Sequence, residues 1–367
     1  MNETVIDLRA VTAGEAPVVL ATYRGLTAMV FRYRSGVVGL RIANQDGHID
    51  ALPFQGQQIW DAVFFGRTLT MRSMFSEPRP THDFLGTYGG FFIHCGATAM
   101  GNPGPSDRHP EHGELPNAPY GEAKLIVGDD ETGPYMGLTG TYHHAVAFTH
   151  NYVATPGVRI PERGGRIRAG IAIANLRPRP MDLMYLAHIN FRPVDGARLV
   201  DTAPDDAEHM RVRDVSTEGD LAASPALRKL AAAWRANPAA HRDMTIAAAA
   251  GGALDPELAV ALECRAGEDG NAHAMQQHPD GQADFVTYRP GELSHALRWI
   301  ARNGTEDALG LLLPATAEAD GYTAEKAKGN VRSIPAQGTF RCSLEFGALR
   351  ADEASALRRS IETIRRS

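Results

Sequence analysis

Cysteine is scarce in this sequence, which has only Cys95, Cys264 and Cys342 among its 367 residues. The three form no CxxC motif, and an odd number cannot all pair within one chain. The scarcity argues against a disulfide framework. It predicts reduced thiols in a cytoplasmic protein.

Long apolar runs and basic stripes are also missing. No segment approaches the roughly 18 apolar residues that a spanning helix needs, and the first residues lack the basic and apolar regions of a signal peptide. The net charge is −6, which argues against a polyanionic partner. We therefore expect neither a membrane nor a nucleic acid as partner. The oligomeric state stays open, with a homodimer among the possibilities.

Motifs for nucleotide cofactors are absent as well. The glycine-rich segments 86–90 and 101–104 match neither the GxGxxG nor the GxxxxGK[ST] pattern. The sequence also has no GxSxG nucleophile elbow. These absences argue against a nucleotide-dependent enzyme and against a serine hydrolase of the α/β type.

Short segments rich in β-branched and aromatic residues recur from about residue 17 to residue 348 and predict strands. The clearest are 37–43, 166–175, 181–191, 258–264, 283–288, 308–313 and 339–346. The proline-rich turn at 177–180 predicts that 166–175 and 181–191 form an antiparallel hairpin. Helix signals are limited to 225–236, capped by Ser224, and to about 352–366. The pattern predicts an all-β fold, a single large antiparallel β-sandwich domain over residues 1–367.

The segment 101–120, GNPGPSDRHPEHGELPNAPY, concentrates candidate chemistry in a loop. Its five prolines prevent a helix and restrict the residues before them, so the loop should be stiff. It carries His109 and His112, and Glu114 lies two residues after His112, on the same side of the chain if it is extended. Binding and catalytic groups are often found on loops of this kind.

A second candidate histidine lies in the strand around His188, where alternation places Leu186, His188 and Asn190 on one face. Imidazoles with a carboxylate support proton transfer, or they support a zinc, manganese or iron site. The spacing from His109 to Glu114 does not match the zinc-protease helix motif. The residues alone therefore leave acid–base and metal chemistry open.

Four segments resemble a known family. They are Thr87-Tyr88-Gly89-Gly90-Phe91, the stretch 94–101 (HCGATAMG) and the stretch 112–120 (HGELPNAPY), together with YLAHINF at 185–191. They are similar to the galactose mutarotase-like, or aldose 1-epimerase, superfamily, in the branch of DUF4432 and deoxyribose mutarotase-like proteins. The resemblance runs from about residue 30 to 350 and implies a large antiparallel β-supersandwich.

The resemblance also implies a cofactor-free reaction. In mutarotases a carboxylate takes the proton of the anomeric hydroxyl, a histidine protonates the ring oxygen, and the opened sugar recloses as the other anomer. By this likeness His188 is the general acid and His112 contacts the sugar ring. His94 lines the sugar pocket. Tyr88 stands where relatives that act on hexose phosphates have arginine, which implies an unphosphorylated aldose or deoxyaldose such as deoxyribose.

The family's basic glutamate has no counterpart in the expected strand, because Leu313 occupies its position. Three explanations stay open: the base is Glu114, it is another carboxylate such as Glu318, or the activity has changed or been lost. We take Glu114 as the hypothesis for the base. Asn117 and Arg289 complete the predicted substrate contacts.

The leading prediction is therefore a cytoplasmic sugar mutarotase or epimerase, an isomerase of carbohydrate metabolism with a small sugar as its partner and no cofactor. We expect His94, His112 and His188 to share one cleft. One alternative is a metal-dependent sugar isomerase or epimerase that holds a divalent ion with His94, His112, Glu114 and His188. Another is a carbohydrate-binding protein that has lost its base.

Overall fold

A computed structural model describes residues 3–215, 223–243 and 254–366 of the chain. The protein is 47% strand and 14% helix, which confirms the predicted all-β class. The strands are β1 (Thr4–Asp7), β2 (Val18–Tyr23), β3 (Leu26–Arg32), β4 (Val38–Ala43), β5 (Gly47–Ala51), β6 (Ile59–Phe64), β7 (Arg67–Thr68), β8 (Phe92–Ala97), β9 (Glu122–Asp130), β10 (Gly133–Val146), β11 (His150–Pro161), β12 (Gly165–Asn175), β13 (Met181–Ile189), β14 (Arg198–Asp201), β15 (Met210–Val212), β16 (Leu254–Leu262), β17 (Ala272–Gln277), β18 (Ala283–Tyr288), β19 (His295–Arg302), β20 (Asp307–Ala315), β21 (Arg332–Ile334) and β22 (Thr339–Leu349). The helices of these described residues are α1 (Pro225–Ala236), α2 (Tyr322–Lys328) and α3 (Ala351–Arg366), with 3₁₀ turns at Leu8–Ala10, Leu85–Thr87 and Pro238–Asp243.

The strands pair antiparallel in two large sheets. Within the described ranges, the first has nine strands in the order β1-β9-β10-β11-β12-β22-β18-β17-β14. The second has thirteen, of which eleven follow the order β15-β16-β19-β20-β13-β8-β6-β5-β4-β3-β2, while β21 pairs with β13 and β7 with β6. The antiparallel supersandwich is thus as predicted, whereas the single-domain organisation of residues 1–367 stays a prediction.

The two sheets pack face to face through large apolar side chains. Phe92 of β8 and Phe346 of β22 lie with ring centroids 4.9 Å apart, so they join the thirteen-stranded sheet to the nine-stranded one. Ile167, Ile171 and Ile173 alternate with more exposed residues along β12 and are buried. This period of two is the pattern that predicted the strand.

The predicted hairpin between 166–175 and 181–191 is wrong. β12 pairs with β11 and β22 in the nine-stranded sheet, whereas β13 pairs with β8, β20 and β21. The turn between them carries the chain from one sheet to the other, and the Asn175 side chain holds it by donating to the carbonyls of Arg179 and Pro335, each at 2.9 Å. Strands distant in sequence take up the hydrogen-bonding edges that a hairpin would have used.

The two predicted helices are present as α1 and α3, whereas α2 was not predicted. The Ser224 hydroxyl accepts a hydrogen bond from the Leu227 amide at 3.1 Å, which caps α1 at the predicted residue. Leu227, Ala231 and Trp234 form the buried face of this helix. Among the described residues, no helix is both long and apolar enough to cross a membrane. All three cysteines are free thiols.

Candidate active site

A cleft opens on the face of the thirteen-stranded sheet that points away from the other sheet. Neighbouring strands build its floor: Ala259 of β16 pairs with Trp299 of β19, and Leu297 of β19 pairs with Leu313 of β20. Leu186 and His188 of β13 continue the same surface. The cavity volume of the cleft is about 90 Å³.

Loops close the cleft from above. Its further lining residues are Phe84, Leu85, Tyr88, Asn102, Glu111, His112, Arg213, Glu257 and Ala319. Three of them come from the proline-rich loop at 101–120, which thus lies against the predicted histidine strand.

His112 and His188 meet in this cleft, 76 positions apart in sequence. Their ring centroids are 5.4 Å apart and their planes are nearly perpendicular, at 82°. Aromatic rings surround them: Phe84 lies 4.8 Å from His112, and Trp299 lies 5.5 Å from His188. The Nδ1 atoms of both histidines are buried and have no hydrogen-bond partner among the described residues. Each imidazole therefore has one ring nitrogen whose hydrogen-bonding capacity the described protein does not satisfy.

The loop backbone places His112 by a sharp turn. His112 and Gly113 both have left-handed backbones, with φ of 56° and 79°. The turn is held by hydrogen bonds from the His112 amide to the Gly101 carbonyl, at 3.0 Å, and from the Gly96 amide to the His112 carbonyl, at 2.9 Å. A side chain at position 113 would meet the Ala99 carbonyl oxygen at 2.3 Å, so only glycine fits there.

Burial keeps both histidines neutral. Removal from water lowers the pKa of His188 to about 4, against a smaller opposite effect of the Asn190 side chain. Burial also lowers the pKa of His112 well below its usual range, and the neighbouring His188 and Arg213 add to that effect. Near neutral pH the two rings are therefore uncharged, and each can donate from one nitrogen and accept at the other.

Two carboxylates line the cleft with these histidines. Burial raises the pKa of Glu111, and the nearby Glu257 carboxylate raises it further. Glu257 is more exposed and accepts a hydrogen bond from the Trp299 indole nitrogen at 2.6 Å. Arg213 lies 2.8 Å from an Asp320 carboxylate oxygen, so its charge is already paired.

His94 does not share the cleft, which corrects the prediction of a three-histidine site. In the β8–β13 ladder His94 is opposite Ala187, while His188 is opposite Ile93. Because successive side chains alternate across a sheet, His94 and His188 point to opposite faces. His94 is 2% exposed between the sheets, where its Nδ1 lies 2.7 Å from the Tyr185 hydroxyl. Burial lowers its pKa to about 3.

The predicted base Glu114 also lies outside the cleft. Its carboxylate accepts hydrogen bonds from the Tyr152 hydroxyl at 2.6 Å and from the Thr98 amide and hydroxyl at 3.1 and 3.0 Å. It therefore joins β11 of one sheet to the end of β8 of the other. Glu318, the other carboxylate named for this role, bonds to Arg211 and Lys328 and does not line the cleft either.

Asn117 and Arg289 are placed elsewhere. The Asn117 side-chain oxygen accepts from Gln55 and Gln58 at 3.0 and 2.8 Å, and its amide donates to the Asp83 carbonyl, so it braces buried loops. Arg289 lies in a separate groove on the nine-stranded sheet, 3.4 Å from Glu292. Neither side chain lines the histidine cleft.

The four side chains of the alternative metal site do not converge, because His94 and Glu114 face away from His112 and His188. Groups of three potential ligands with atoms within 4.8 Å of one another occur elsewhere in the described chain, at His48, Asp50 and Asp61 and at Glu318, Asp320 and Glu325. A cation already contacts each group: Arg41 forms a bidentate pair with Asp50, and Lys328 contacts all three carboxylates of the second group.

Sequence reasoning missed Glu111, Glu257 and Trp299 as candidate site residues. The proximity of Glu111 to His112 in the proline-rich loop was a usable signal. No signal in the sequence pointed to Glu257 or Trp299, since they reach the cleft only through the pairing of β16 with β19.

The chain shares its fold with known proteins. It resembles in structure a "putative aldose 1-epimerase" of Klebsiella pneumoniae subsp. pneumoniae, with a TM-score of 0.80, 14% identity and coverage of 99% of this chain and 96% of that one. A galactose mutarotase-like protein from Clostridium acetobutylicum follows with a TM-score of 0.57, 11% identity and coverage of 89% and 100%. Likeness at such identities shows a shared fold. No protein with a curated function matches the sequence.

A family model matches most of the chain. The matching model is that of a domain of unknown function, DUF4432, and it spans residues 34–348. These residues include every strand of the cleft floor and both of its histidines. By this match the chain belongs to the DUF4432 family.

Proposed function

We propose that this protein is a sugar mutarotase of the aldose 1-epimerase type, acting on a small unphosphorylated aldose or deoxyaldose such as 2-deoxyribose. The observation that carries the proposal is the pair His112 and His188, whose rings lie 5.4 Å apart in a cleft that also holds two carboxylates. The names of the structural neighbours, aldose 1-epimerase and galactose mutarotase-like, support the same class.

Mutarotation needs a proton acceptor at the anomeric hydroxyl and a proton donor at the ring oxygen. Positioned imidazole and carboxyl groups provide both. We assign His188 to the ring oxygen and His112 to the sugar ring or a hydroxyl. No cofactor takes part in this scheme.

The walls of the cleft suit an uncharged sugar. Trp299, Tyr88 and Phe84 offer aromatic faces for the apolar face of a pyranose or furanose, and the carboxylates can accept hydrogen bonds from its hydroxyls. The charges disfavour a phosphate, because Glu111 and Glu257 are acidic and Arg213 is paired with Asp320. We expect the protein to work in the cytoplasm, as the three free thiols suggest.

The test is anomer exchange, measured by magnetisation-transfer NMR or polarimetry on 2-deoxyribose and simple aldoses. The protein should accelerate exchange above the buffer rate, and His188→Gln should reduce the acceleration by roughly 10²- to 10⁴-fold, the scale for one positioned acid or base. His143→Gln, at an exposed position on β10 outside the cleft, is the matched control and should retain the parent rate.

Three outcomes would contradict the proposal. Tight sugar binding without any exchange would favour the carbohydrate-binding alternative. Exchange that is abolished by chelators and restored by a divalent ion would favour a metal-dependent enzyme. Full activity of His188→Gln would remove that imidazole from the mechanism.

A further inference from the structure

We propose that the Glu111 carboxylate is the proton acceptor of this cleft, supplying the group that is missing at Leu313. The inference deepens the proposed mutarotase function and rests on it. Leu313 does line the cleft, 3% exposed and paired with Leu297. An alkyl side chain cannot accept a proton, so the acceptor has to come from another element.

The loop backbone fixes Glu111 beside the histidines. Glu111 directly precedes His112 and lines the same cleft as His188. Hydrogen bonds hold the chain around it, from the His112 amide to the Gly101 carbonyl at 3.0 Å and from the Gly113 amide to the Pro110 carbonyl at 2.9 Å. Its carboxylate is thus carried on the stiff part of the loop.

Among the described acidic residues that line the cleft, Glu111 is the one whose oxygens are available. No hydrogen-bond donor or cation in the described part of the chain pairs with its carboxylate, whereas Glu257 is exposed and accepts the Trp299 indole proton. Glu114 and Glu318 lie outside the cleft and are bonded elsewhere.

The surroundings of Glu111 make it a stronger base than an ordinary glutamate. Burial raises its pKa most, and the charges of Glu257 and Asp83 raise it further. The ionisable groups that face it or its neighbours are Asp83 and Tyr88 of the covering loop, Cys95 of β8, His109, His112, His188, Arg213 and Glu257. The one cation in this set, Arg213, is paired with Asp320 and does not cancel the effect.

The proposed step balances as follows. Glu111 accepts the proton of the anomeric hydroxyl, and the electrons of that O–H bond form the carbonyl at C1. The bond from C1 to the ring oxygen breaks with its electron pair on the oxygen, which takes a proton from the protonated His188. Closure on the other face of the carbonyl reverses both transfers and restores both groups. Because burial lowers the pKa of His188 to about 4, its ring is neutral in the empty cleft and has to take up a proton from solvent when the sugar binds.

The test compares four variants in the anomer-exchange assay with 2-deoxyribose. Glu111→Gln should lower the exchange rate by roughly 10²- to 10⁴-fold and leave the Kd for the sugar within about threefold. Glu111→Ala should be equally slow. Added formate should raise the exchange rate of this variant at least about tenfold, because formate can occupy the space of the missing carboxylate. Glu114→Gln is the matched control and should keep the parent rate. Glu257→Gln should lose less than Glu111→Gln.

The outcomes separate the two proposals. If the parent protein exchanges anomers and Glu111→Gln does so at the same rate, the role of Glu111 is overturned and the mutarotase function stands. A loss confined to Glu257→Gln, or no rescue of Glu111→Ala by formate, would do the same. A parent protein that exchanges no aldose would overturn the function itself.

Discussion

The buried His94 should make the stability of this protein fall steeply in mild acid. Its ring is 2% exposed between the two sheets, and burial lowers its pKa from 6.5 to about 3. The folded protein therefore holds His94 neutral, while the unfolded chain takes up a proton as the pH falls below 6.5. The stabilisation is complete above that value and is lost progressively as the pH falls towards about 3.

The size of the effect follows from these two pKa values. Proton uptake by the unfolded chain removes about 2 kcal/mol of the free energy of unfolding between about pH 7 and about pH 5, and about 5 kcal/mol once the pH is below both values. His188 should add a similar loss over the first interval, because burial lowers its pKa to about 4.

The assay is urea unfolding followed by far-ultraviolet circular dichroism at about pH 7 and about pH 5. His94→Gln should be less stable than the parent near neutral pH, since the bond to Tyr185 is changed, but the gap should shrink by about 2 kcal/mol at the lower pH. The exposed His143→Gln is the control and should follow the parent at both pH values. A gap that stays constant between the two pH values would refute the assignment of His94 as a buried neutral group.

Three further predictions concern the loop, the core and the cleft. Gly113→Ala should lower the free energy of unfolding by about 2 kcal/mol or more, since position 113 is left-handed and lies against backbone oxygens. Gly121→Ala, where a side chain meets nothing within 4 Å, is the control and should change that free energy little. Equal effects of the two variants in urea unfolding would contradict this prediction. Asp201→Ala should lower the free energy of unfolding by about 3 to 5 kcal/mol, because the fully buried Arg298, whose guanidinium lies 3.0 Å from the Asp201 carboxylate, loses this partner. A loss below about 1 kcal/mol would show that the pair is not isolated from water. Trp299→Phe should weaken 2-deoxyribose binding by about 3- to 10-fold in calorimetric titration, because the variant loses aromatic surface and the hydrogen bond to Glu257. Unchanged affinity would show that the sugar does not bind against this part of the cleft.

Much of the fold was readable from local patterns. The alternation of isoleucines in β12, the Ser224-Pro225 start of α1 and the apolar face of α3 depend on residues a few positions apart, and the structure has these elements where they were predicted. The resemblance to mutarotases extended that reading to the sandwich architecture, and the proline-rich loop and His188 were recognised as parts of one site. His112 and His188 do lie together.

The composition of the cleft depended on pairings that no local pattern contains. His94 has the same local features as His188, a histidine on a buried strand, yet the register of β8 against β13 turns it to the opposite face. Glu257 and Trp299 enter the cleft because β16 pairs with β19, about 40 residues further along the chain. The turn at 177–180 would fit a hairpin, but β12 pairs with β22 and not with β13. Side-chain periodicity depends on neighbouring residues and was therefore available from the sequence. The partner of each strand, and the face that the strand turns toward that partner, depend on long-range hydrogen bonds and packing that form only in the folded chain.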